Sequence, residues 1–241
     1  MSELPITLDD AIAQAQTATQ AALKAGYTRL QVELAFPELK PMPIAETFLT
    51  SFHEWGAGLK VFFTDAGTAA LAKRDWGDVP FQIGSLDVAG SRQTTPAEAQ
   101  VSPDDRLLIF VAPSAVEVNP VEQICEVAGD CPIILLNPRL EDVAIVGIGY
   151  AGRQLRQRFL ETIEPCYYLR PLDDTSALLR CYPSPWQVWY ATDGVYHLIA
   201  EEDDRPDAER LDQIFASVLG DQMPKPNLFA GLQQFLRALG R

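Results

Sequence analysis

The run Gly147-Ile-Gly149-Tyr-Ala-Gly152 has the glycine spacing that lets a backbone approach a pyrophosphate closely. The apolar stretch Val143-Ala-Ile-Val146 precedes it and a helical stretch from Arg153 to Ile163 follows, so a helix N-terminus would meet the negative charge. Asp173 and Asp174, about twenty residues on, stand where a dinucleotide fold holds a ribose. A plain glycine-rich strand-to-helix connection has the same pattern. The segments after it read as an antiparallel meander, without further βαβ crossovers, and Arg170-Pro171 puts the two aspartates in a turn.

A second constellation surrounds Asn137-Pro138-Arg139, which follows an apolar strand. Ligands of open α/β sheets gather beyond the carboxyl ends of the strands. There Arg139 would face Arg153 and Arg156, and three guanidinium groups suit a phosphate or carboxylate, which arginine grips with two bonds at once. The anion-binding set is thus Asn137, Arg139, Gly147, Gly149, Gly152, Arg153 and Arg156. The alternative is structural: Asn137 makes a turn and the arginines pair with Glu141, Asp142 or Glu161. Thr64-Asp65, after a β-rich run, serves as a βα loop or simply as a helix N-cap. The acidic run Glu201 to Asp204, with Asp207 and Glu209, lacks the glycine and spacing of a calcium loop and reads as a solvated start to a helix.

The nucleophile and metal signatures Gly-x-Ser-x-Gly, His-Glu-x-x-His and Gly-x-x-x-x-Gly-Lys do not occur in the sequence. With only His53 and His197, acid/base work near neutral pH would fall to carboxylates, and a hydrolase would need two of them meeting in one cleft. Cys125, Cys131, Cys166 and Cys181 form no Cys-x-x-Cys pair, which points to reduced thiols, no disulfide scaffold and no metal site. No cofactor is expected.

These residues need elements to hold them. Thr7 with Asp10 resembles a capping box opening an alanine-rich helix, with Leu8, Ile12, Ala15 and Leu23 on one side and Gly26 at its end. Strands are expected at 29–36, 59–63 and 81–86, with helices at 44–55 and from 64 towards Trp76. Residues 88–105 read as a surface loop. The near-continuous apolar runs 106–111 and 132–136, bracketing a helix at 120–128, read as strands buried on both faces. The last third reads as strands at 167–169, 177–182, 186–192 and 195–200, with Asp193-Gly194 as a tight hairpin turn, then a helix at 206–219. The expected fold is a single three-layer α/β domain over 1–241. A mostly parallel central sheet is covered by helices and extended by an antiparallel C-terminal meander. Residues 220–241 are expected to form a linker and an amphipathic helix whose stripe, Leu228, Leu232, Phe235 and Leu239, packs on the core, docks on a protein partner or lies on a membrane surface.

A net charge of -14 argues against nucleic acid and against broad docking on anionic lipid. The N-terminus lacks a signal-peptide pattern and no apolar run approaches the ~20 residues of a membrane span, so a cytoplasmic place, peripheral to a membrane at most, is expected.

Several strings together carry a family likeness: Val32-Glu-Leu-x-Phe-Pro-Glu-Leu39, Phe63-Thr-Asp65, Ile133-Ile-Leu-Leu-Asn-Pro-Arg-Leu140, Arg153-x-x-Arg156-x-Arg158-Phe159-Leu160, Tyr167-Tyr-Leu-Arg-Pro-Leu172 and Leu179-Arg-x-Tyr-Pro-x-Pro-Trp186. The chain resembles a domain of unknown function shared by cyanobacteria and chloroplasts. Its members include the low photosystem II accumulation factors and the C-terminal extension of a plastid adenylate kinase. The resemblance implies a non-catalytic assembly or biogenesis factor acting on photosystem subunits or their assembly factors, in contact with the thylakoid surface, and carries no active site with it. The alternative is an α/β protein that binds a phosphorylated small molecule or nucleotide, an uncharacterised enzyme among the possibilities.

Overall fold

The computed structural model describes residues 3–36, 39–86, 96–140 and 150–219. They gather into two compact units, one drawn from 22–33 and 38–165, the other from 1–21, 34–37 and 166–241.

The first unit contains β1 (Arg29–Leu34), α2 (Pro41–Leu49), β2 (Leu59–Phe63), α3 (Ala66–Asp75), β3 (Gln82–Ser85), α4 (Ala97–Gln100), β4 (Leu107–Val111), α5 (Val118–Ala128), β5 (Ile133–Leu136) and α6 (Tyr150–Arg158). Its strands lie parallel in the order β3-β2-β4-β5-β1. Every residue of β4 and β5 is buried, as the apolar runs require of strands covered on both faces. Side-chain alternation divides them between two layers. Phe62, Leu108, Phe110, Ile133 and Leu135 pack under Val121, Ile124 and Cys125 of α5 and Leu155 of α6, with Phe62 stacked on Phe110 at 5.1 Å. On the opposite face Phe63 meets Trp76, just past α3, at 5.5 Å. A bidentate ion pair fastens α6 to α5: the Arg158 Nε and Nη2 donate to the two Glu122 oxygens at 2.6 and 2.8 Å.

The second unit contains most of α1 (Leu8–Lys24), then β6 (Glu164–Pro171), β7 (Ser176–Cys181), β8 (Trp186–Thr192), β9 (Val195–Glu202) and α7 (Ala208–Leu219). The four strands form an antiparallel meander. Asp193 and Gly194 take φ of 52° and 79° in the β8–β9 turn, the left-handed pair that matches the strand twist. Helix α1 opens as expected: Asp10 N donates to Thr7 Oγ1 at 3.0 Å and Asp10 Oδ2 accepts from Thr7 N at 3.2 Å. Its buried face is built from small residues, Ala11, Ala15, Ala18 and Thr19 beside Ile12, whereas Leu8 and Leu23 are only half-buried. Thr19 Oγ1 lies 3.6 Å from Cys166 Sγ, and Gln14 Oε1 accepts from the Tyr167 hydroxyl at 3.4 Å, so this face rests on β6. On the other side Tyr168, Leu178, Trp186 and Val188 pack against Ile214 of α7. The Arg205 guanidinium lies 4.3 Å over the Tyr168 ring and donates to its hydroxyl at 2.6 Å.

The α/β class, parallel strands under helices followed by an antiparallel C-terminal meander, is the one expected. Two segments differ. The helix expected at 44–55 is α2 continued by a 3-10 stretch to Gly58, broken where Gly56 takes φ 52°. The expected surface loop 88–105 ends in packed structure: α4 buries Ala97 and Gln100, and the Asp105 carboxylate turns back to accept from Ser102 N at 2.8 Å. Polar composition reads as loop, but here a turn closed by Asp105 N donating to Ser102 O and by Asp104 N donating to Ser102 Oγ packs the segment. Residues 88–95 of that loop and 220–241 lie outside the described residues.

Candidate functional site

Strand order decides where a parallel sheet offers a ligand site. The chain leaves β2 for β3 on one side, then crosses back over β2 to β4, so the connections after β2 and β4 diverge. That divergence is the topological switch point, and the crevice lies between the carboxyl ends of those two strands. Thr64 and Asp65 follow β2; Ala112, Pro113 and Ser114 follow β4; Asn137, Pro138 and Arg139 follow β5 next door.

Both connections at the crevice are closed by carboxylates. Asp65 is the N-cap of α3: Oδ1 accepts from Thr68 N at 2.9 Å, and Oδ2 accepts from the hydroxyls of Thr68 at 2.7 Å and Thr64 at 3.3 Å. The Thr68 backbone and hydroxyl bonds hold its carboxyl below the usual carboxylate range. Glu117, buried at 6% exposure directly before α5, accepts from both Ser114 N at 2.8 Å and Ser114 Oγ at 2.5 Å. Ala112 takes φ 51° and Asn137 φ 48° on adjacent strands. Asparagine tolerates that region, but an alanine there costs about 1–2 kcal/mol. The strain is held by Ala112 N donating to Leu136 O at 2.8 Å, Asn137 N to Val32 O at 2.7 Å, and Arg139 N to Pro113 O at 2.7 Å.

Backbone donors at a helix N-terminus attract an anion because they are unsatisfied and carry the positive end of the helix dipole. At α3 the Thr68 amide is already taken by the Asp65 carboxylate, whereas the Glu117 carboxylate turns back on Ser114 ahead of α5. No group of three or more His, Cys, Asp or Glu side chains that could hold a metal ion occurs among the described residues.

The structure places the predicted anion-binding residues as follows. Asn137 is half-buried in a left-handed turn and Arg139 is exposed beside Pro113 and Ser114. Helix α6 opens at Tyr150, earlier than the spacing implied, so Gly152 is buried inside its first turn; Arg153 is exposed and Arg156 half-buried along the same helix. Arg139 and Arg153 form no ion pair among the described residues; Arg158 takes Glu122. Gly147, Gly149 and the stripe Leu228, Leu232, Phe235 and Leu239 lie outside the described residues. Of the two readings of Thr64-Asp65, βα loop or N-cap, the cap is observed; sequence reasoning missed Ser114 and Glu117, whose S-x-x-E spacing lets the Glu117 carboxylate turn back on Ser114 before α5.

The thiols are insulated. Burial pushes Cys125 up to about 12 and Cys131 up to about 11, and raises Cys181 as well, so none sits in the electropositive, accessible setting of a nucleophile. The family model for a domain of unknown function, DUF1995, matches residues 5–213, and the chain belongs to that family.

Proposed function

We propose that the protein is a non-catalytic, photosynthesis-related assembly or biogenesis factor that works through protein–protein contacts. One observation carries the reading: at the switch point the Asp65 carboxylate caps α3 and takes the Thr68 backbone donor that a phosphoryl-binding α/β enzyme keeps for its substrate. The insulated thiols of Cys125 and Cys131 point the same way. The link to photosystems rests on the resemblance running from Asn137 to Trp186, and with it the proposed place of work, peripheral to the thylakoid surface. No helix among the described residues is long and apolar enough to cross a membrane. Tagged full-length chain, used as bait on gently solubilised photosynthetic membranes, should recover photosystem subunits or their assembly factors. A preparation repeatedly free of both would refute the proposal.

A second reading starts from Arg139, exposed beside Pro113 and Ser114 past the end of β5, and from Arg153, exposed on α6. It is a site for a phosphorylated small molecule, Asn137 and Arg156 included. Thermal-shift screening against nucleotides and phosphosugars tests it, because a ligand at a hundred times its Kd adds roughly 2.7 kcal/mol of stability. The shift must vanish in Arg139→Ala; no shift across the panel removes the idea.

A further inference from the structure

A small cavity of about 170 Å³ opens in the parallel unit, between α2 with its 3-10 extension and the segment joining α3 to β3. Sites for drug-sized ligands run to roughly 300 Å³ and more, so this one takes a single compact group. Its walls are aromatic. Trp76 and Phe81 meet edge to face, centroids 6.4 Å apart at 70°, and the His53 ring lies 5.6 Å from Phe81 at 45°. Leu49 and Val79 complete the apolar lining, and Glu46, one helical turn before Leu49 and Thr50, is an exposed acid at its rim.

The rings are held in place from behind. Phe81 is only 7% exposed, and Phe63 of β2 backs the Trp76 ring at 5.5 Å. A metal ion would find a single oxygen-bearing acid and no ligand cluster. Aromatic rings inclined at 70° with one acidic residue at the rim, in a chain of net charge -14, fit an organic cation, whose charge is stabilised by ring quadrupoles and by the acid together.

We propose that this pocket binds an organic ammonium group, either a small free amine of the choline type or the methylated lysine side chain of a protein. The inference is independent of the assembly role and of the switch-point crevice. Its test is titration of the full-length chain with choline, followed through the Trp76 indole N–H resonance, which a Trp76→Phe variant assigns. Choline should shift that resonance saturably, and its neutral carbon isostere, dimethylbutanol, should bind about tenfold more weakly, since only the charge distinguishes them. Glu46→Gln, an exposed substitution that leaves the fold intact, should weaken choline and leave the isostere unchanged. A trimethyllysine peptide binding more tightly than choline assigns the site to a protein partner; choline binding at least as tightly assigns it to a free amine. Equal binding of choline and isostere, or no response of Trp76 to any of the three probes, overturns the proposal.

Discussion

Replacing Asp65 by alanine tests whether the end of β2 is a structural cap or a site held ready for a ligand. The substitution removes three acceptor contacts, to Thr68 N, Thr68 Oγ1 and Thr64 Oγ1 at 2.9, 2.7 and 3.3 Å. An N-cap is worth about 1 kcal/mol, and the negative charge at the first turn of α3 adds some tenths more, so Asp65→Ala should cost about 1.5 kcal/mol at neutral pH. Asp65→Asn keeps an acceptor and loses only the charge, for about 0.5 kcal/mol. In a chain of this size each kcal/mol moves Tm by about 2–4 °C. The pH dependence follows from the lowered carboxyl value. The folded state binds this proton more weakly than the unfolded chain does, so the charge's contribution is complete above the ordinary value of 3.8 and is lost as pH falls through the lower folded one. Urea unfolding of the wild type and both variants, at neutral pH and across the acid limb, measures all of this. If the acid is instead reserved for a ligand, Asp65→Ala is neutral or stabilising. That result, or a gap between Asp65→Asn and wild type that does not narrow on acidification, would refute the cap.

Four further outcomes follow. Arg158→Ala should destabilise more than Glu122→Gln, because it strands a carboxylate whose side chain is 10% exposed. A double-mutant cycle should still give a coupling of no more than about 1 kcal/mol, weakening with salt, because the guanidinium is 55% exposed. Gly26→Ala should cost about 1 kcal/mol: at φ 94°, Gly26 ends α1 with its N–H on Leu23 O while Tyr27 N reaches Ala22 O, and urea midpoints will show whether alanine is tolerated there. Cys125 and Cys131 should resist maleimide at pH 8 and react only on unfolding, since thiols raised to about 12 and about 11 present almost no thiolate; modification of native protein at a free-thiol rate would contradict their insulation.

The elements were legible where local chemistry and burial agree. Leu107–Val111 and Ile133–Leu136 announce themselves as doubly covered strands, Asp193-Gly194 as a hairpin turn, and Thr7 with Asp10 as the start of α1. What the sequence conceals is order across the sheet. That β4 lies beside β2, with β3 outside it, depends on long-range packing, so the switch point, with Asp65 after one strand and Ser114 after its neighbour, could not be found by running along the chain. The arginines show the same limit. Spacing set Arg153, Arg156 and Arg158 on one helix, but only packing against α5 gave Arg158, and not its neighbours, the buried Glu122. The aromatic pocket was equally hidden, because Glu46, His53, Trp76 and Phe81 come from separate elements and share no motif.

The central claim is that the protein serves photosystem assembly by contact and transforms no substrate. Pulse-labelling of photosynthetic cells lacking the chain follows newly made photosystem subunits into finished complexes. The account predicts that incorporation slows and that Asp65→Asn protein restores it, since on this account Asp65 caps α3 and takes no part in chemistry. Incorporation at the normal rate without the chain would contradict it.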